Sequence, residues 1–213
     1  MNLFPSWAIL AVNSLLQALK ERDPYTYGHC KRVAAYSKRL AEAAGLNEQD
    51  QCITEYASIF HDLGKIGIPD SILLKASRLT REEEEIMKAH PIKSEEIVKP
   101  LASIPFFNSL LPGIRHHHER IDGKGYPDGC CGDHIPLHAR IILISDTFDA
   151  MTTTRPYRKG LTHEIAYKEL KQFSGRQFDP QLVKVFLKAH PKWLINEEEV
   201  TRELGEIKIK KAA

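Results

Sequence analysis

Hydrophobic residues recur along this chain at three- and four-residue steps, the spacing that gathers one face of an α-helix. Ile9, Val12, Leu16 and Leu19 share such a face and predict a helix over about Ser6–Glu21, ended by Asp23-Pro24. Val33, Tyr36, Leu40 and Ala44 mark a second over about Thr26–Ala44, with Gly45 as its stop. Asn47 caps a third, which carries Ile53, Tyr56, Ala57 and Phe60 as far as His61. The stretch Gly64–Pro69 breaks the pattern and reads as a loop, after which Asp70 caps a short helix to about Lys75. Thr80-Arg81-Glu82-Glu83 is a capping box for a helix that ends near His90-Pro91. Another helix follows to about Leu101, and a further one spans about Phe106–His118.

A long irregular segment, about Glu119–Pro136, comes next; loops of this length in compact domains are usually functional or mobile. Helical spacing resumes over about Leu137–Thr153. Ile141–Ile144 alone would pass for a strand, but the length of the segment and the Asp146/Asp149/Ala150 spacing favour helix. Thr162 and Asp179-Pro180 open the last two clear helices, the second with proline at its first position. After about Asn196 the chain is charged, and Glu206–Lys210 alternates as a short edge strand or a tail would. No strand alternation is sustained, so the expected fold is all-α, with helices packed ridges into grooves.

The length of 213 residues fits one domain with a small appendage, and no linker divides it. A net charge of +2 gives no bulk electrostatic reason to bind DNA or RNA. No apolar run reaches the roughly 20 residues of a membrane span, and the N-terminus lacks the basic region of a signal peptide. Cys30, Cys52, Cys130 and Cys131 form no framework and read as reduced thiols, which leads to the expectation of a cytoplasmic protein.

The ten histidines change the picture more. His29, His61-Asp62, His90, His116-His117-His118 and Asp146 gather at expected helix ends or beside loops, and neutral imidazole with carboxylate suits Fe, Mn, Zn or Ni. Neighbours such as His61 and Asp62 diverge by about 100° in a regular helix. They serve one centre only if the helix ends there, as Gly64 indicates. Asp146 and Asp149, three apart, point the same way. Taken singly, each has an ordinary alternative: a dipole or capping role for a helix-terminal histidine, a surface position for Lys65, a helix-face ion pair for Asp149. His116, His134, His138, His163 and His190 carry no motif and are expected to be structural or at the surface.

The motifs Asp23-Pro24-Tyr25-Thr26-Tyr27-Gly28-His29, His61-Asp62-Leu63-Gly64-Lys65-Ile66-Gly67-Ile68-Pro69-Asp70, Leu79-Thr80 and Met87-Lys88-Ala89-His90 follow in order. Then come His117-His118-Glu119-Arg120-Ile121-Asp122-Gly123-Lys124-Gly125-Tyr126-Pro127, Ile135-Pro136-Leu137, Asp146-Thr147-Phe148-Asp149-Ala150-Met151-Thr152 and Arg155-Pro156-Tyr157-Arg158. With these, about residues 20–187 resemble the HD-GYP domain, a branch of the HD phosphohydrolase superfamily. The resemblance implies a compact all-α bundle with a long loop carrying Gly-Tyr-Pro, and hydrolysis of the bacterial second messenger cyclic di-GMP. The organisation expected is a leading connector or dimerisation helix at 1–22, a catalytic domain at 23–196 and a charged tail at 197–213.

The resemblance also implies a two-metal centre. His29, His61, Asp62 and Asp146 are the implied ligands shared with the superfamily, and Asp62 would bridge to a second metal on His90, His117 and His118. Family members with a third metal carry a Glu four residues before the first His; here that place is Tyr25, so two divalent ions are expected. The family suggests Fe or Mn, and the ligand set also accepts Zn or Ni. Two cations roughly 3.5–4 Å apart clamp a phosphodiester and generate a hydroxide nucleophile near neutral pH. In-line attack would then expel the ribose 3′-oxygen to give linear pGpG, and a second cut would give GMP.

Asp62, Lys65 and Asp149 are the expected catalytic residues, Lys65 by reaching the phosphate and Asp149 by orienting a ligand or water. Lys65, Tyr126, Arg155 and Arg158 are expected to bind substrate, the arginines through their forked donors; Tyr126 has loop support as its alternative. Glu119, Arg120 and Asp122 are expected to hold the loop together. Cyclic di-GMP is the expected partner, with a homodimer or other signalling proteins beside it. Two further readings use the same residues: hydrolysis of another cyclic dinucleotide or a nucleotide, and a non-catalytic module that binds cyclic di-GMP.

Overall fold

The computed structural model describes residues 6–154 and 159–193. Its α-helices are α1 (Ser6–Arg22), α2 (Pro24–Ala43), α3 (Glu48–Phe60), α4 (Asp70–Leu73) and α5 (Arg81–Met87). They continue with α6 (His90–Val98), α7 (Pro105–Arg115), α8 (Leu137–Thr152), α9 (His163–Gln172) and α10 (Pro180–Ala189). Among the described residues there is no strand; one isolated bridge pairs Ser174 with Phe178. Arg155, Arg158, the 197–213 tail and the side chain of Ile9 lie outside the described residues.

The caps read from the sequence form as expected at α3 and α5. Asn47 accepts from the Asp50 N–H, and Thr80 and Glu83 close a reciprocal box. Asp23 adds one at α2, its carboxylate accepting from the N–H groups of Tyr25 and Thr26.

Three boundaries depart from the pattern. The Gly64–Pro69 stretch is not open loop, because Leu63–Gly67 winds as a 3₁₀ turn. Asp70 is the first residue of α4 rather than its cap, and its carboxylate instead accepts from Arg22 Nη2 at 2.7 Å. His90 does not close α5: that helix stops at Met87, and His90 opens α6, where Pro91 suits a first turn because it lacks the N–H that would have no intrahelical partner there.

Two hydrophobic clusters share α2 and α8. One joins Val12, Leu16 and Leu19 of α1 to Val33 of α2, Phe60 of α3, Phe107 and Leu110 of α7, and Ile142 of α8. The leading helix therefore buries one face within the bundle itself. The other joins Tyr36 and Leu40 of α2 to Ile141, Ile144 and Phe148 of α8 and to Leu170, Leu182 and Phe186. Because α8 feeds both clusters, Ile141, Ile142, Leu143 and Ile144 are all buried; the strand-like run is a helix apolar on every side. With α2 and α8 packed together and α3 and α7 alongside, the C-terminal ends of α3 and α7 and the start of α6 meet His29 of α2 and Asp146 of α8 in one place.

Candidate metal centre

Three histidines reach this place by the same local device. A helix leaves its last four carbonyls without intrahelical partners. In each case such a carbonyl accepts from the Nδ1 of a histidine three residues further on. His61 Nδ1 lies 2.6 Å from Ser58 O, His90 Nδ1 2.7 Å from Met87 O, and His117 Nδ1 2.7 Å from Ile114 O. A carbonyl only accepts, so each Nδ1 carries the hydrogen and each Nε2 presents a lone pair.

These lone pairs face one another and the carboxylates. His90 Nε2 and His117 Nε2 are 3.2 Å apart. Asp62 lies between two groups: its Oδ1 is 3.2 Å from His90 Nε2, and its Oδ2 is 3.4 Å from His61 Nε2 and 3.6 Å from His29 Nε2. His29 Nε2 is also 3.0 Å from Asp146 Oδ1. The donor atoms of His29, His61 and Asp146 fall within 4.8 Å of one another, as do those of His90, His117 and His118. The buried atoms His61 Nε2 and Asp62 Oδ1 have no hydrogen-bond partner. A buried acceptor without a donor is costly, and several converging on one volume fit a cation. The set therefore suits divalent metal ions, with oxygen and imidazole donors of the kind iron, manganese, zinc or nickel accept.

Burial and charge act on these groups in opposite senses. Burial lowers the basicity of the His61 and His117 imidazoles, and it takes His118, beside His90, down to about 3. At His29 burial also works downward, but Asp146 and Asp149 outweigh it and push the imidazole up to about 9. Burial resists ionisation of Asp62, yet Lys65 and the surrounding imidazoles hold its carboxyl well below the usual range. Lys65 is held above its ordinary value because Asp62 overcomes the effect of its burial.

The structure brings most of the expected residues together. Lys65, one 3₁₀ turn past Asp62, places its Nζ 2.6 Å from Asp62 Oδ2. Asp149 is buried behind His29, its Oδ2 2.7 Å from His29 Nδ1. Tyr126 stacks on His118 with ring centroids 4.7 Å apart and planes 28° apart. Arg155 and Arg158 fall outside the described residues. The loop is held as expected. Glu119, buried, accepts from the N–H groups of Asp128 and Gly129, and Arg120 pairs with Asp122 at 2.7 Å. Of the histidines without a motif, His116 bonds Asp128, His138 bonds Thr54, and His190 is buried against Tyr167.

Sequence reasoning passed over Arg32 and Ser94. Arg32 grips Asp149 through Nε–Oδ1 at 2.7 Å and Nη2–Oδ2 at 3.0 Å. It stands three residues after His29 on α2, a spacing that puts both on one face and was a usable signal. Ser94 stands four after His90 on α6, but the groups it bonds, His61 O and Gly64 N, lie 33 and 30 residues away. Arg115, the last residue of α7, was also missed; it reaches Glu95 at 2.7 Å and Asp128 at 2.7 and 2.8 Å, pinning the segment after Gly-Tyr-Pro to α6.

A family model described as HD domain matches residues 13–182. The chain belongs to the HD domain family. It is 40% identical over 177 residues, 83% of its own length, to the cyclic di-GMP phosphodiesterase response regulator RpfG of Xanthomonas campestris, of which it spans 47%. It is 39% identical over 176 residues to the 3′3′-cGAMP-specific phosphodiesterase 2 of Vibrio cholerae, covering 83% of this chain and 34% of that protein. The chain thus spans about half the length, or less, of these relatives. Among solved structures it is similar to the cyclic GMP-AMP specific phosphodiesterase V-cGAP3 of V. cholerae, with a TM-score of 0.61, 19% identity, and 81% of this chain and 48% of that one covered. The likeness agrees with the all-α fold. No helix among the described residues is long and apolar enough to cross a membrane.

Proposed function

We propose that this chain is a cytoplasmic, metal-dependent phosphodiesterase domain of the HD-GYP type that hydrolyses cyclic di-GMP to linear pGpG and onward to GMP. The observation that carries the reading is the position of Asp62, with one carboxylate oxygen toward His90 and the other toward His29 and His61. A carboxylate so placed suits two divalent ions, Fe or Mn by family resemblance: one on His29, His61, Asp62 and Asp146, the other on Asp62, His90, His117 and His118. Bound there, such ions supply Lewis acidity to phosphoryl oxygens and acidify water.

The residues of the chain divide the remaining work. Hydrolysis adds water across one P–O bond and frees the ribose 3′-hydroxyl. Lys65, already charged and beside Asp62, offsets the negative charge that grows on the phosphoryl group. Asp149 with Arg32 fixes the ring of His29 and the nitrogen that carries its hydrogen. Tyr126 backs His118 with its ring and leaves its hydroxyl for substrate. Arg155 and Arg158 suit the second phosphate or a guanine edge. The exposed Trp7 and Leu10 of α1 suit a homodimer contact outside the buried face of that helix.

A second reading keeps the chemistry and changes the ring: 3′3′-cGAMP as substrate, favoured by a relative of nearly equal identity that carries that name. Product analysis on cyclic di-GMP, 3′3′-cGAMP and cyclic di-AMP, with Fe or Mn under reducing conditions, decides between them. The expected result is fastest turnover of cyclic di-GMP, with pGpG appearing first. Preferred cleavage of 3′3′-cGAMP selects the second reading, and binding without cleavage refutes both.

A further inference from the structure

His61 and Asp62 are neighbours, and a regular helix would turn them apart. They serve one centre because the chain turns a corner: α3 ends, and Leu63–Gly67 winds away as a 3₁₀ turn. That corner leaves two backbone groups without partners inside the protein, the carbonyl of His61 and the N–H of Gly64. Ser94 takes both. Its Oγ donates to His61 O at 2.6 Å and accepts from Gly64 N at 2.7 Å, and the residue has no exposed surface. One hydroxyl thus spans the whole corner, using its donor and an acceptor lone pair.

The same serine sits on α6, one turn after His90. Gly64 lets the two segments touch: a Cβ there would lie 2.2 Å from His90 O and 2.5 Å from Ser94 N. The first turn of α6 therefore rests on the corner backbone, and His90 arrives with its Nε2 3.2 Å from Asp62 Oδ1. The hydroxyl of Ser94 is a directed link between the elements, made to the corner backbone from the first turns of α6.

We propose that Ser94 is a positioning residue that ties the His61-Asp62 corner to helix α6 and so sets His61 and His90 on opposite sides of Asp62. The inference rests on the reading of the site as a two-metal centre and adds the residue that holds its two halves in register. Ser94 touches neither substrate nor metal; it acts through the backbone of one ligand and the helix of another.

The test is a Mn²⁺ binding isotherm on the wild-type chain, Ser94→Ala and Ser94→Thr, with thermal melting of each metal-free chain. The expected result is two ions in the wild type, the weaker of them bound about 10–100-fold less tightly in Ser94→Ala, as for partners of metal ligands generally. Ser94→Thr, which keeps the hydroxyl, should recover affinity to within about threefold. Wild-type affinities in a folded Ser94→Ala chain overturn the proposal. So does a folded Ser94→Thr chain as weak as Ser94→Ala. Should the Ala chain not fold, Ser94→Cys, close in volume but a weaker hydrogen-bonder, is read in the same way. A wild type that holds one ion defeats the two-metal reading instead, and the role of Ser94 then stands or falls on whether its loss weakens that ion.

Discussion

His29 Nδ1 and Asp149 Oδ2 are 2.7 Å apart, 120 residues apart in the chain, and the contact turns the Nε2 of His29 toward Asp62 and Asp146. Asp149 is almost wholly buried and shares its charge with Arg32. Asp149→Asn keeps the shape but lets an amide meet His29 with either its oxygen or its nitrogen, and removes the carboxylate that Arg32 grips. The expected outcome is about a 10–100-fold loss of metal affinity with little change in helical content. Competition titration with a fluorescent chelator checks it, and unchanged affinity would remove the orienting role.

Lys65 has two contributions that separate by experiment. Its ammonium restrains Asp62 at 2.6 Å, and the proposed second role is to meet a phosphoryl oxygen. Lys65→Gln should retain both ions yet lose about 100-fold or more in kcat, the size seen when one charge-stabilising donor is removed. Metal content measured beside kcat gives the answer. If the ions leave together with activity, the lysine serves only to hold the carboxylate.

Tyr126 contributes its ring to His118, and Gly125 allows the approach. Tyr126→Phe preserves the stack and should keep metal affinity within about threefold, whereas Tyr126→Ala removes a contact worth about 0.5–1.5 kcal/mol and should weaken the ion on His118. At Gly125 a Cβ would meet His118 O, Glu119 Cα and Arg120 N, each at 2.5 Å. Gly125→Ala should therefore displace the segment that follows His118, and limited proteolysis of the loop should speed up. A proteolysis rate equal to the wild type would show the loop can yield there without cost.

Much of this was legible in the sequence. The helix spacing gave the all-α class, and the motif order gave the histidines and aspartates that meet. What was hidden has physical causes. His90 looked like a helix end because Pro91 follows it, but proline also suits a first turn, and burial of the ring decided for the start of α6. The 3₁₀ turn at Leu63–Gly67 was hidden because its glycines read as loop, while its hydrogen bonds and its contact with α6 are tertiary. The clamp of Ser94 on His61 and Gly64 spans 33 and 30 residues, and nothing local signals it.

His190 supplies a pH dependence away from the metal centre. Its ring is buried among Phe148, Phe186 and Trp193, with Nδ1 2.7 Å from the Tyr167 hydroxyl. Burial, then the charges of His163 and Arg39, pushes it down to about 4. The unfolded chain takes up this proton near its ordinary value and the fold only near 4, so the unfolded state binds more protons between the two. The stability it contributes is complete above the ordinary value and falls by about 1–3 kcal/mol as pH drops toward 4. Urea unfolding in EDTA should show that part of the acid slope missing in His190→Phe. An identical slope in both chains would refute the assignment.

The central claim is that Asp62 and the two histidine groups hold two ions that make this chain a cyclic dinucleotide hydrolase. One titration tests it most directly: cyclic di-GMP turnover followed as Mn²⁺ or Fe²⁺ is added to metal-free protein, with bound metal counted at each step. The account predicts no turnover without metal, a rise that saturates at two ions per chain, and pGpG as the first product. Turnover that persists in EDTA, or two bound ions with no cleavage of any cyclic dinucleotide, would contradict it.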